Sequence, residues 1–188
     1  MVTRRLYQLM RRRFGQVPEP AMVYAHHPGL LRAWAVHEGM VEKASKELPA
    51  ELRDLVVHRV ATVVGCSWCV DFGTMLAIKA GFSVERHRDL ARYASSPVFT
   101  ADEKLALEYA DAMTAQPMTV TDELVERLRE RFSDAQLIEL TYQVALENFR
   151  ARSNHALGIT AQGYTEGDAC PLPIGAQISA AAGSVSPG

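Results

Sequence analysis

Apolar residues recur along this chain at spacings of three and four, the period of an amphipathic α-helix, and no stretch alternates as a half-buried strand does. Leu6, Tyr7, Met10 and Phe14 share one face of a short helix over residues 3–14. Gly15, Pro18 and Pro20 then break the pattern and read as a connector. A second helix starts at Pro28, whose missing N–H is harmless in a first turn, and buries Leu30, Leu31, Trp34, Val41, Ala44 and Leu48. Pro49 opens a third, running to about Val64 on a stripe of Leu52, Leu55, Val56, Val60, Val63 and Val64. Gly65 suits a helix end, and a tight reversal there sends the next helix, over about 66–80, back along the third as an antiparallel hairpin.

Gly81 ends that helix and Ser83 can cap another that carries Leu90 and Tyr93. Thr100 to Glu103 and Ser133 to Gln136 have the form of capping boxes, the second opening a last long helix that ends near Gly158. Between them Thr121 precedes a helix bearing Leu124 and Leu128, beyond the stop at Pro117. The fold class is all-α. Three segments are expected: a basic helix and connector over 1–20, a helical domain over 21–160, and a tail or subunit-embracing arm over 161–188, rich in Gly, Pro, Ala and Ser.

A chain of 188 residues is long enough to bury about 68–70% of its unfolded surface as one domain. A formal charge of −2 supplies no field to gather nucleic acid. The one basic face, Arg4, Arg5, Arg11, Arg12 and Arg13 without an acid among them, fits packing on a neighbouring subunit or the main domain better than an anionic surface. No apolar run reaches the length of a membrane span and no signal peptide opens the chain, so the expectation is a cytoplasmic protein with neither membrane nor nucleic acid as partner.

The chemistry sits in Gly65-Cys66-Ser67-Trp68-Cys69, where two of three cysteines stand three apart at the head of an apolar helix. Residues three apart share a helix face, and the unpaired N–H groups and positive dipole end of a first turn favour thiolate over thiol. Dithiols so placed fall to pKa values of roughly 3.5–7.5 from about 8.5. A redox dithiol is the leading reading, with Trp68 shielding it. The others are a pair of small buried hydrophobes and a structural zinc site, which needs four ligands. Cys170 stands alone and no second Cys or His pair exists, so neither metal nor cofactor is expected. A thioredoxin domain would set the motif after a strand, whereas both flanks here are helical. Asp54 and His58, four apart on the third helix, share a face. Counted from the Gly65 turn, His58 and Cys69 can meet across the hairpin. His26, His27, His37 and His87 read as surface or cap residues, and Asp71 as a carboxylate favouring the helix N-terminus.

The run Asp54 to Gly81 resembles the carboxymuconolactone decarboxylase family, in its alkyl hydroperoxidase D-like branch. A looser likeness extends from Pro28-Gly29-Leu30-Leu31 and over Thr100 to Gly158, including Asn148 to His155. The resemblance implies that family's helical fold, with C-x-x-C at the N-terminus of a helix in an antiparallel hairpin. It also implies a dithiol–disulfide cycle at Cys66 and Cys69, a hydroperoxide or disulfide substrate, an external thiol reductant protein and a homo-oligomer. The redox pattern has a Glu twelve residues before the first cysteine and a His four after the second, which relay a proton from the second cysteine. Those positions hold Asp54 and Gly73 here. His58 is the imidazole expected to stand in, oriented by Asp54. The alternatives are a decarboxylase-like small-molecule enzyme without thiol chemistry, for which Asp54, His58 and His155 are the nominees, and a non-catalytic oligomeric protein.

Overall fold

The computed structural model describes residues 2–165, and these form helices and connecting turns without a strand. Cys170 and most of the 161–188 segment lie outside the described residues. Two compact units divide after Lys46. In the first, α1 (Val2–Phe14), α2 (Glu19–Tyr24) and α3 (Pro28–Ala44) enclose a small core of Met10, Val17, Ala21 and Leu31. The apolar face of α1 is thus used within its own unit, and its Arg13 pairs with Glu42 of α3, Nη1 to Oε2 at 3.0 Å. The connector expected after Gly15 contains α2, a single helical turn and a half that starts with Pro18 as its N-cap and Pro20 in its first turn. Two prolines that look like breakers fit a helix start, because the first-turn N–H groups have no intrahelical partner to lose.

The second unit is built on α4 (Ala50–Val64), which packs against α5 (Ser67–Ala80), α7 (Ala101–Thr114) and α9 (Asp134–Ala156). Leu52, Leu55, Val56 and Val60 of α4 meet Leu105, Ala106 and Ala110 of α7 and Leu140 and Val144 of α9 in one continuous core. Each of these large side chains contributes on the order of 1.5–3 kcal/mol by leaving water. The polar side of α4 is tied down as well. Arg59 forks onto both Asp111 oxygens of α7, at 2.7 and 3.0 Å, and Arg53 reaches the buried Glu139 of α9 at 3.2 Å.

Helix ends follow their local chemistry. Gly65 takes φ +80° and closes α4, the left-handed geometry that a side chain would resist. Both capping boxes form, at Thr100 before α7 and at Ser133 before α9, and Thr121 caps α8 (Asp122–Arg129). The helix expected after Ser83 is broken into α6 (Val84–Asp89) and a 3₁₀ turn, Leu90–Arg92. There Asp89 is drawn sideways to Arg92 and to the Ser96 hydroxyl, 2.6 Å away. No helix among the described residues is long and apolar enough to cross a membrane.

Candidate active site: a dithiol at the head of α5

The one-residue reversal at Gly65 sets Cys66 at the N-cap of α5. Its sulfur takes the place of a capping hydroxyl and accepts the Cys69 N–H at 3.2 Å. Cys66 and Cys69 are joined as a disulfide, their Cα atoms 5.3 Å apart. Cys66 is 1% exposed and Cys69 8%, so Cys69 stands nearer the surface.

On the α4 side lies His58, which α4 buries rather than leaving beside its apolar stripe. Its Nδ1 has no hydrogen-bond partner and lies 3.5 Å from where a Cβ on Gly73 would be. Gly73 follows Cys69 by four residues, so the imidazole fills the space left by the missing side chain on the face that carries Cys69. Burial, and then the neighbouring His87 imidazole, push the His58 pKa down to about 3. The ring is neutral at ordinary pH and carries an unused acceptor or donor.

Asp54 does not orient His58. Its Oδ2 bonds instead to Nε2 of His87, at 2.5 Å. His87 belongs to α6 and its Nδ1 faces the Ser83 carbonyl at 3.1 Å. The two imidazoles meet edge to face with centroids 4.5 Å apart. His87, expected as a surface or cap residue, is therefore buried in a row that runs Asp54, His87, His58. The polar sequence around it gave no sign, because what buries it is the docking of α6 on α4, reinforced by Arg86 bonding Glu51 at 2.6 Å. His27 does act as a cap, accepting the Leu30 N–H at 3.2 Å. His155 is exposed at the end of α9.

On the other side, α9 presents Asn154, buried, with its Nδ2 at 3.4 Å from the Cys69 sulfur and 3.9 Å from that of Cys66. After α9 the chain turns at Gly158 and lays residues 159–165 across α5 as a strap. Asp71 holds it. The carboxylate accepts the N–H groups of Gln162, Tyr164 and Thr165 at 2.9–3.0 Å and the Thr165 hydroxyl at 2.8 Å. Burial alone would raise the Asp71 pKa, but these bonds outweigh it and hold the carboxyl below its ordinary range. The role expected for Asp71, a favourable charge near the helix N-terminus, is thus overtaken by a long-range anchor. Trp68 stacks on Phe72 with centroids 4.6 Å apart and donates its Nε1 to Gln162 at 3.1 Å, under the strap. The start of the expected tail is thereby part of the site. Among the described residues no group of three or more His, Cys, Asp or Glu side chains is placed to hold a metal ion.

The site thus holds a disulfide at the head of α5 and, on the facing helix, a neutral buried imidazole against Gly73. Comparison with known proteins adds family context. Residues 28–112 match the model of the carboxymuconolactone decarboxylase family. YnjA of Escherichia coli K12, an uncharacterized protein, is 34% identical over 165 residues, 88% of each chain. Among solved structures, an uncharacterized peroxidase-related protein of Ralstonia eutropha JMP134, described as an alkylhydroperoxidase AhpD core, is 19% identical with TM-score 0.74, covering 86% of both chains. The debrominase Bmp8 is 20% identical with TM-score 0.76, covering 86% of this chain and 87% of its own. With the YnjA likeness spanning nearly the whole of both sequences and the dithiol hairpin inside the matched segment, the chain belongs to the carboxymuconolactone decarboxylase family and has the alkylhydroperoxidase D-like fold.

Proposed function

We propose that this protein is a dithiol oxidoreductase of the alkyl hydroperoxidase type, reducing hydroperoxides or a disulfide partner with Cys66 and Cys69. The observation that carries this reading is the Cys66–Cys69 disulfide at the N-terminus of α5, with a buried imidazole on the facing arm whose Nδ1 has no hydrogen-bond partner. Written for a hydroperoxide, a thiolate attacks the O–O bond, giving a sulfenic acid and, after protonation, the alcohol. The second thiol displaces water from that sulfur and closes the disulfide. Two electrons pass from the dithiol to the peroxide, and an external thiol reductant protein returns two electrons and two protons. Cys69, the more exposed residue of the pair, fits the attacking role. His58 is the residue to accept its proton, since a neutral ring gains affinity for a proton only when a thiolate forms beside it. Asp54 acts one step removed, through His87.

The cytoplasm suits such a cycle because thiols are kept reduced there. Assembly as a homo-oligomer belongs to the same reading. Ile138, Tyr142 and Phe149 lie exposed along one face of α9, an apolar row that a second copy of the chain would cover. Sedimentation at micromolar concentration checks this; a stable species of 20.7 kDa would exclude it.

Thiol titration of the reduced protein before and after one equivalent of hydroperoxide tests the chemistry. Loss of two thiols per chain, recovered by mass spectrometry as a Cys66–Cys69 crosslink, is expected. Thiols unchanged by hydroperoxide and by oxidised glutathione alike, or two separately overoxidised cysteines, would refute it and favour an enzyme or oligomer without thiol redox chemistry.

A further inference from the structure

The structure assigns Asn154 a direct part in the thiol chemistry: its buried side-chain amide is the hydrogen-bond donor that stabilises the Cys69 thiolate and so sets how oxidising the pair is. This assignment rests on the dithiol reading above. The two sulfurs are served by different donors. Cys66 takes a backbone N–H in the first turn of its own helix, at 3.2 Å. Cys69 lies a turn further in, and the donor at its sulfur comes from α9, 85 residues away in sequence, at 3.4 Å. The same Nδ2 stands 3.9 Å from Cys66, so one amide spans the disulfide and leans toward Cys69.

Asn154 is 4% exposed, and a carboxamide N–H taken out of water requires a partner. A disulfide sulfur is a weak one. A thiolate is charged, and a hydrogen bond to an ionised acceptor is about twice as strong as one between neutral groups. The amide therefore gains most when Cys69 is reduced and ionised. That differential lowers the Cys69 pKa, stabilises the dithiol over the disulfide and makes the pair a stronger oxidant. No proton leaves the amide: reduction of the disulfide brings two electrons and two protons, and the one shed on ionisation of Cys69 goes to His58 or to solvent. The buried titratable groups on the elements packed about the pair are His58 on α4, Asp71 on α5, bound to the strap, His87 on α6, bound to Asp54 of α4, and Glu139 and Glu147 on α9, bound to Arg53 and Arg150. They are common to the parent and the variants below.

The test is the pH dependence of iodoacetamide alkylation of reduced protein in a Cys66→Ser background, where Cys69 titrates alone in the helix. Asn154→Leu keeps the branching at Cγ and removes the donor. Its Cys69 pKa is expected to rise by about one unit, cutting alkylation about tenfold at pH values below both pKa values. Asn154→Asp keeps the shape and adds a like charge, and a larger rise is expected. In the two-cysteine protein, equilibration with glutathione should move toward the disulfide in Asn154→Leu by a similar factor. Superimposable alkylation profiles for parent and Asn154→Leu would overturn the assignment. If that variant loses its helical circular dichroism, Asn154→Asp decides instead, and an unshifted profile there overturns it equally. Peroxidase activity is not the readout: a shifted pKa in a protein that neither consumes hydroperoxide nor reduces a disulfide would refute the proposed function and leave Asn154 as the donor.

Discussion

The two flanks of α5 are satisfied to different degrees. Toward the strap, Asp71 accepts four hydrogen bonds, Trp68 finds Gln162, and the Ser67 hydroxyl takes the Ala161 N–H at 3.2 Å. Toward α4, the His58 Nδ1 has nothing, across from a glycine. A buried polar atom left without a partner costs on the order of 1–3 kcal/mol, so the saturated flank is where position is fixed and the unsaturated one is where a reacting proton can be received. Within the second unit the dithiol sits between them, and Asn154 joins it to the fixed side.

The most severe way to break this contrast is His58→Ala. A positioned base contributes typically 10²–10⁴-fold, so thiol reaction at pH 7 should fall by a factor in or near that range, with much of the loss recovered at alkaline pH. An unchanged pH–rate profile would make the open flank a packing defect and nothing more. Asp54→Asn should cost less and act through His87, because that is the imidazole the carboxylate holds.

Removing the anchor on the other flank comes next. Asp71→Ala should lower unfolding stability in denaturant by about 2–4 kcal/mol, as several charge-assisted bonds are lost while the freed N–H groups regain water. Hydrogen exchange at Gln162, Tyr164 and Thr165 should accelerate with it. Unaltered exchange there would mean that the strap is held without its carboxylate.

Acid titration separates the flanks by a smaller amount. His58 is depressed to about 3 in the folded chain from an ordinary value near 6.5, so the unfolded state binds more protons between those limits. Its contribution is complete above pH 6.5 and is lost as pH falls toward 3, at up to about 1.4 kcal/mol per pH unit. The Asp71 contribution also fades as pH falls through its lowered pKa, so both act in acid. Subtracting the stability curve of His58→Leu from that of the parent should isolate the histidine limb, and a flat difference would contradict its burial as a neutral ring.

Gly73→Ala is the gentlest probe. The added methyl meets His58 Nδ1 at an ordinary contact of 3.5 Å, while alanine is favoured over glycine inside a helix by about 0.5–1 kcal/mol. A net gain of that order is expected in thermal or denaturant unfolding. A loss would show that the ring needs the space.

What the sequence disclosed was local. The Thr100 and Ser133 boxes, the Gly65 reversal and the cysteine pair at a helix head each rest on residues within a few positions of one another, and each stands in the structure. Counting turns from Gly65 put His58 opposite the cysteine helix, and the family resemblance pointed to the space over Gly73, which its ring occupies. Asp54 bonding His87, Asn154 reaching Cys69 and Asp71 gripping residues 162–165 span 33, 85 and up to 94 positions. No periodicity encodes such pairings. Within 84–89 only Val84 is apolar, and it is the docking of this helix that makes a buried group of His87. Asp71 showed a plausible local use that concealed a distant one.

The distance from Asp71 to its partners also has a consequence in time. A ribosome adds about 5–20 residues each second, so roughly 5–20 s separate the appearance of Asp71 from that of the 91–94 residues later chain that it grips. Throughout that interval the nascent α4–α5 hairpin, whose contacts are local and quick to form, carries two thiols with neither Asn154 nor the strap over them. Their spacing of three gives each thiol an intramolecular partner at high effective concentration, so premature oxidation during synthesis yields the native crosslink rather than a bond to another protein.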